Sequence, residues 1–445
     1  MTIAGNRRQY VPKSIFRALK YRNFRLFFIG QTISLIGTWM QRIALGWLVY
    51  RLTGSAFLLG SVGFAGQIPT FVLTPFAGVL ADRYDRQKLL IVTQTLAMVQ
   101  SLTLSLLVLT KSVQIWHIMV LCIMLGIINA FDAPVRQSFT VKMVDNKQDL
   151  GNAIALNSSM VNSARLLGPS AAGILIGVLG EGICFLLNGL SYLAVIGALF
   201  AMNVEANNFK SKRPRGIGEL KEGFVYAFGF APIRAVLLLL ALVSMMGMPY
   251  SVLMPVFAKD VLHAGPHAFG FLMGASGVGA LAGALYLASR NSVLGLGIII
   301  PLAASIFGAG LVAFSFARVL PLSLGLMLVI GFGMIVQMAS SNTILQTIVD
   351  EDKRGRIMSF YTMAFMGMTP FGSLLAGTLA GKIGAPNTLL IGGAACLLGA
   401  GVFAAKLPEL RKIVRPIYVR MGIIPEIASG IHSAAELTMP EKKAI

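Results

Sequence analysis

Four charged side chains stand in or at the ends of otherwise apolar stretches, and they are where this sequence has the means to do chemistry. Asp132 and Arg136 lie in Gly126-Ile-Ile-Asn129-Ala-Phe-Asp132-Ala-Pro134-Val-Arg136, Arg42 in Gly37-Thr-Trp39-Met-Gln41-Arg42, and Arg165 in Asn162-Ser-Ala-Arg165. An ionised Asp at the centre of a bilayer costs about 2.5–3.5 kcal/mol on insertion scales, so it needs a partner or a task. Two roles are open to Asp132. It can pair with Arg136, one helical turn on, in a structural network, or it can take up and release a proton. Arg42 and Arg165 would give an internal cavity positive charge, opposed by Asp132 alone, and so favour an anionic substrate. For Arg42, about 26 Å along its helix, snorkelling to the outer headgroups is the competing reading. Arg234 reads as an interfacial anchor.

Other chemistries lack their residues. Cys122, Cys184 and Cys396 are isolated in apolar runs, and His117, His263, His267 and His432 are scattered, so neither a disulfide framework nor a metal site is expected. Gly377-Thr-Leu-Ala-Gly381-Lys382-Ile383 falls one residue short of a phosphate-binding loop and has Ile where Ser or Thr must hold magnesium. No nucleophile, base and acid set is visible in the apolar runs. The expectation is a non-enzymatic chain without a cofactor, drawing energy from an ion gradient.

The elements that must position these residues follow from composition. The 445 residues are 56% hydrophobic and only 12% charged, about half the charge of an ordinary soluble domain. Such a chain cannot coat soluble domains, and it predicts an all-α membrane protein. Twelve runs are long enough to span at 1.5 Å per residue: 25–50, 57–80, 88–110, 116–139, 152–179, 183–202, 233–257, 268–289, 292–316, 320–343, 357–381 and 387–405. The net charge of +20 suggests nucleic acid in a soluble protein, but the positions decide otherwise. Of the 37 Lys and Arg, 29 fall on segments sharing a side with the N-terminus. Five fall on the other side, and three (Arg42, Arg165, Arg234) within spans. This bias predicts both termini in the cytoplasm of a plasma (inner) membrane, with the basic surface against lipid headgroups rather than nucleic acid.

The polar, basic stretch Asn203 to Gly216 reads as a linker between two six-helix halves. The expected organisation is a cytoplasmic segment 1–24, a half 25–202, a linker 203–232 with an interfacial helix, a half 233–405 and a cytoplasmic tail 406–445. The halves echo each other. Ala77-Gly78 returns as Ala282-Gly283, Val144-Asp145 as Val349-Asp350, and Gly168 to Gly173 (GPSAAG) as Gly372 to Gly377 (GSLLAG), at offsets of 205, 205 and 204 residues. Repeated six-helix halves are a common transporter plan, with the substrate site between them near the midplane.

Between the second and third runs lies Gly78-Val-Leu-Ala-Asp82-Arg83-Tyr-Asp85-Arg86-Gln-Lys88. Gly78, Asp82, Arg83 and Arg86 resemble the signature loop of the major facilitator superfamily. Asp85 stands where that loop usually has Gly, and the second basic residue is displaced to Lys88. The resemblance implies a latch between the halves, with Asp132 and Arg136 joining it as one of the two roles above. Gly168-Pro169 followed by Gly173 looks like the kink motif of the exporting, antiporter-type branch. Tyr21 to Arg25, Thr53 to Ser55, Phe131 to Pro134 and Asn152 to Asn157 resemble the bacterial enterobactin-exporter-like group.

These resemblances imply proton-coupled export of a medium-sized organic molecule, a siderophore being the leading expectation; separately, a monomer is expected, with substrate, protons and membrane lipids as its partners. A broad multidrug pump, and from another class a lipid flippase-like protein or intramembrane enzyme, are the alternatives. In the resembled fold, Gln41, Arg42, Asn129, Asp132, Asn162, Arg165, Gln337 and Asn342 are the candidate cavity or coupling residues.

Overall fold

The computed structural model describes residues 16–81, 84–144, 146–202, 224–290 and 292–423. Each of the twelve apolar runs lies on helix. In the first half these are α1 (Arg22–Thr53), α2 (Ala56–Ala81), α3 (Arg86–Leu109), α4 (Ile115–Lys142), α5 (Lys147–Leu179) and α6 (Glu181–Ala201). The second half holds α7 (Ala231–Val261), α8 (Pro266–Ala288), α9 (Leu296–Phe316), α10 (Leu320–Ile348), α11 (Lys353–Ile383) and α12 (Ala385–Arg420). Among the described residues eleven helices are long and apolar enough to cross a membrane. The remaining helix, α1, has the length at 32 residues, but Arg22, Arg25, Gln31, Gln41, Arg42 and Arg51 dilute its apolar content. Large apolar side chains such as Leu398, Phe200 and Leu106 face outward, as a surface meeting lipid requires.

Alternating up and down, the helices place their turns at two ends. One end, the termini end, carries the start of α1, the ends of α6 and α12 and the start of α7. The distal end carries the turns 53–56, 109–115, 179–181, 261–266, 316–320 and 383–385. Three of these turns use glycine in the left-handed region. Gly54 (φ 61°) follows α1, Gly180 (φ 81°) joins α5 to α6, and Gly384 (φ 83°) joins α11 to α12, where a side chain would be strained. Gly180 and Gly384 stand 204 residues apart, so the echo of GPSAAG in GSLLAG runs on through the turn that follows.

At the termini end, polar side chains satisfy the first turns of helices. Asp85 caps α3, accepting from the Gln87 and Lys88 amides at 2.8 and 3.2 Å. That task accounts for an acid where the signature loop usually has glycine. Asn146 caps α5 through the Gln148 amide at 3.0 Å. The short 3-10 helix Arg17–Lys20 docks on the start of α5. There Asp149 meets Lys20 at 2.8 Å and Arg17 at 3.4 Å, and accepts from the Tyr21 hydroxyl at 2.9 Å. The hydrogen bond to Asp149, and after it the contact with Tyr21, raises the Lys20 ammonium above its ordinary pKa.

The structure adds detail at the linker and at the tail. Residues 203–223 of the linker lie outside the described residues, and residues 224–229 are helical. There Ala227 is buried, and Phe224 packs on Phe228 and Phe360, with ring centroids at 4.4 and 6.2 Å. This part of the expected interfacial helix rests on α11. The tail expected from 406 starts instead as more helix, since α12 runs to Arg420 through Pro408 and Pro416. Leu407, Leu410, Val414 and Ile417 form an apolar stripe at helical spacing that packs on the core, and this offsets the backbone bonds that the prolines remove. The rest of the tail, 424–445, lies outside the described residues.

The two halves meet along two glycine seams related by the internal repeat. On one, α2 lies against α11, and a Cβ on Gly60 would come within 2.4 Å of the Ser373 carbonyl oxygen and 2.9 Å of Gly377 Cα. On the other, α5 lies against α8, and a Cβ on Gly173 would sit 2.9 Å from Gly270 Cα. Gly173 and Gly377 are the closing glycines of GPSAAG and GSLLAG. Both seams lie toward the distal end, six residues before α5 and α11 finish. Tyr50 at the end of α1 adds a polar tie there, donating from its hydroxyl to Asp260 of α7. The Lys259 ammonium lies 5.3 Å from the centre of the Tyr50 ring. Among the described residues the close glycine approaches between halves run from mid-bundle to this end.

Candidate functional site

The residues singled out in the sequence separate into three places. The first is the α3–α4 contact. Asp132 is buried at 5% exposure, and one of its oxygens accepts from Thr93 Oγ1 at 2.9 Å and Gln94 Nε2 at 2.7 Å. Its other oxygen faces Arg136 Nε at 3.3 Å. The i, i+4 spacing on α4 makes the ion pair, and α3 supplies two further donors. Asp132 thus joins α4 to α3 through its two oxygens. Gly78 lies on α2 and Arg86 opens α3, but Asp82 and Arg83 lie outside the described residues. Of the residues expected in the latch, Asp132 and Arg136 are paired, and the contacts of Asp82 and Arg83 are not described.

The second place is a buried polar knot that joins α1, α3 and α6. Gln41 was expected to face the cavity, but its side chain turns into this knot. Gln41 Oε1 accepts from Asn188 Nδ2 at 2.5 Å and Ser101 Oγ at 2.7 Å. Its Nε2 donates to Gln100 Oε1 at 3.2 Å. All four residues are at most 3% exposed, so the amide is fully engaged in packing. Gln41 precedes Arg42 by one position, which turns the two side chains about 100° apart on the helix.

The third place lies between α1 and α5. Trp39 and Arg42 are three residues apart on one face of α1, and the Arg42 Cζ lies 4.8 Å from the Trp39 ring centre. Arg165 of α5 reaches the same ring at 5.2 Å. Helix contact makes this meeting possible: a Cβ on Gly168 would stand 2.5 Å from Trp39 Cβ and 2.9 Å from the Ile36 carbonyl oxygen. The Gly168 of the expected kink motif therefore seats α5 on α1, while Gly173 makes the seam with α8. Pro169 is accommodated inside continuous helix, and its carbonyl oxygen lies 2.6 Å from a Cβ built on Gly270.

Arg42 is exposed, yet Arg165, Tyr192 and Arg136 are all close enough to act on its charge. Tyr192 is itself buried at 5%. These neighbours lie on α5, α6 and α4, so the exposed guanidinium stands among the helices of its own half. Arg165 is half-buried and lies near Tyr250 of α7, so the other half of the molecule borders the same place. Its Nε and Nη1 are buried without a hydrogen-bond acceptor. Among the described residues no acid lies within ion-pair distance of Arg42 or Arg165, and Asp132 is engaged by Arg136.

The other candidates stay apart. Asn129 is exposed on α4. Asn162 donates to the Ser158 carbonyl of its own helix at 2.9 Å. Gln337 reaches Ser341 at 3.4 Å, and Asn342 accepts from Gln346 at 2.9 Å, all on α10. Sequence reading missed Trp39 as a partner of Arg42, although their three-residue spacing on a helix was available. Thr93 and Gln94, and the Tyr50–Asp260 tie, had no such signal, because each depends on which helices become neighbours. No group of His, Cys, Asp and Glu able to hold a metal occurs among the described residues.

Comparison with known proteins agrees with this architecture. The staphyloferrin A transporter of Staphylococcus aureus is 26% identical over 384 residues, covering 85% of this chain and 95% of that protein. The multidrug efflux pump Tap of Mycolicibacterium fortuitum is 26% identical over 394 residues, covering 85% and 93%. A crystal structure of a bacterial homologue of the iron transporter ferroportin, in an inward-facing state, superposes with a TM-score of 0.66 at 18% identity, over 87% of this chain and 98% of that one. The family described as transmembrane secretion effector matches residues 13–416. This is a multi-pass membrane transporter, and the chain belongs to the transmembrane secretion effector family of the major facilitator superfamily.

Proposed function

We propose that this transporter exports a medium-sized organic anion from the cytoplasm across the bacterial plasma membrane, trading it for protons. The observation that carries the reading is the pair of glycine seams, Gly60–Gly377 and Gly173–Gly270. Two repeat-related seams let the halves rock as rigid bodies, closed at one end and separable there, which is what alternating access requires. The excess of Lys and Arg on the termini side supports a cytoplasmic location for both termini. On that orientation the distal seams close the outside, and the Arg42–Arg165 pair is loaded from within, as export needs.

Asp132 and Arg136 belong to the inner part of this machine. Asp132 has two candidate duties, the latch at the end of α4 and the coupling proton. Its contacts with Arg136 on α4 and with Thr93 and Gln94 on α3 favour the latch, since they tie two neighbouring helices together. A siderophore is the leading substrate class, supported by the staphyloferrin A transporter at 26% identity. Broad drug efflux is the second reading, supported by the multidrug pump at the same identity. A lipid flippase-like or intramembrane enzymatic activity is a third.

The deciding experiment is deletion of the gene followed by mass spectrometry of cells and medium, in iron-replete and iron-starved growth. An organic acid retained in the deletion strain supports export and names the cargo. Liposomes carrying the purified protein provide the mechanistic check. Movement of that cargo driven by a proton gradient is expected, and chemical turnover without movement would remove the transporter reading.

A further inference from the structure

We infer that Trp39, Arg42 and Arg165 form a binding site for an organic anion carrying two or more carboxylates; the inference rests on the export reading and names its substrate class. The two guanidinium carbons lie 4.8 and 5.2 Å from one indole ring, so they are no more than about 10 Å apart. Two like charges so close oppose each other, and stacking on one indole contributes only about 0.5–2 kcal/mol per contact. Neither arginine has a carboxylate at ion-pair distance among the described residues, while Asp132, Asp149 and Glu181 are each paired to another base. Arg165 also holds two buried N–H donors, Nε and Nη1, without an acceptor. The two donors lie on different edges of the guanidinium, and a carboxylate can meet either the Nε–Nη2 or the Nη1–Nη2 edge through two parallel hydrogen bonds, the strongest geometry available to arginine.

One carboxylate would satisfy one fork and leave the other charge uncompensated. Two carboxylates on a short carbon frame satisfy both. The apolar indole favours a carbon frame over a bare inorganic ion. Helix packing makes the site rigid, because Gly168 sits against the backbone of Ile36 and the Trp39 Cβ. Tyr250 of the second half borders Arg165, so the ligand would be felt by both halves, as coupling to rocking requires.

The test is calorimetric titration of the purified full-length transporter in detergent, with no gradient. The probes are tricarballylate, its uncharged trimethyl ester, inorganic phosphate and tetraphenylphosphonium. Saturable binding of tricarballylate is expected, at least tenfold tighter than the ester or phosphate. Arg42→Gln and Arg165→Gln should each weaken it at least tenfold, and Arg318→Gln, on the distal turn, should leave it unchanged. Arg42→Lys and Arg165→Lys keep the charge, guard against misfolding of the glutamine variants, and should still bind several-fold more weakly because the fork is lost. Wild-type affinity in the folded arginine variants, equal binding of phosphate, or preference for tetraphenylphosphonium would each overturn the site. Because binding is read without two compartments, it can fail while export stands, and the converse is equally visible.

Discussion

Placing one methyl group on Gly60 tests whether the glycine seam governs which end of the transporter is open. The built Cβ would stand 2.4 Å from the Ser373 carbonyl oxygen and 2.9 Å from Gly377 Cα. Both are backbone atoms of α11, so no side chain can swing aside. The helices must separate by roughly 1 Å at that point to restore van der Waals distance. Overpacking of this kind costs typically about 1–3 kcal/mol. The seam exists only while the distal end is closed, so that cost falls on one state alone. The ratio of closed to open forms should then drop about 5- to 150-fold. Spin labels at Lys111 and Arg318, on distal turns of the two halves, report the change as a distance distribution in liposomes. A longer component should appear in Gly60→Ala and grow in the double variant with Gly377→Ala. Gly197→Ala, with nothing within 4 Å of its Cβ, controls for the gain in helix propensity. An unchanged distribution in a folded double variant would refute the idea that this contact sets the equilibrium.

Four further outcomes follow. Asp132→Asn should abolish proton-driven flux and spare substrate counterflow if Asp132 carries the proton; a parallel fall in both assigns it to the latch. Tyr50→Phe removes the hydroxyl that ties α1 to Asp260 and should lengthen the same distal distance, since a part-buried hydrogen bond to a carboxylate contributes about 1.5–3 kcal/mol; no change in that distance would count against it. Asn188→Leu leaves the buried Gln41 amide short of a donor and should lower thermal stability by about 1–3 kcal/mol without altering cargo preference, and a changed preference would place Gln41 in the substrate path. Lys20 has a raised pKa in the folded chain, so its contribution is complete below the free value of 10.5 and is lost as pH rises through the folded value. The protection of residues 17–20 from hydrogen exchange, taken relative to the intrinsic rate at each pH, should therefore hold from pH 8 to 10.5 and fall only in stronger alkali; loss of protection near neutrality would show that Asp149 is not what holds the segment.

The two-half plan was readable from linear information because a bilayer enforces it. Spans of about 20 apolar residues, the side on which Lys and Arg collect, and a 204-residue offset between GPSAAG and GSLLAG each survive without knowing any contact. Even α1, whose polar residues dilute its apolar content, was found by its length between charged ends. The same offset placed Gly173 and Gly377 in equivalent positions, although what they touch was not visible.

Contacts between helices distant in sequence were decided by packing alone. Gln41 and Arg42 are neighbours in the chain, yet helical twist and the positions of α3 and α6 send one amide into a closed polar knot. The same packing leaves the adjacent guanidinium over the Trp39 ring that Arg165 also reaches. Asp132 read as an isolated acid until α3 supplied Thr93 and Gln94, and the tie between Tyr50 and Asp260 spans 210 residues. Residue type and spacing along one helix settle what that helix can offer, whereas the partner across the gap depends on which faces the whole bundle brings within hydrogen-bond reach.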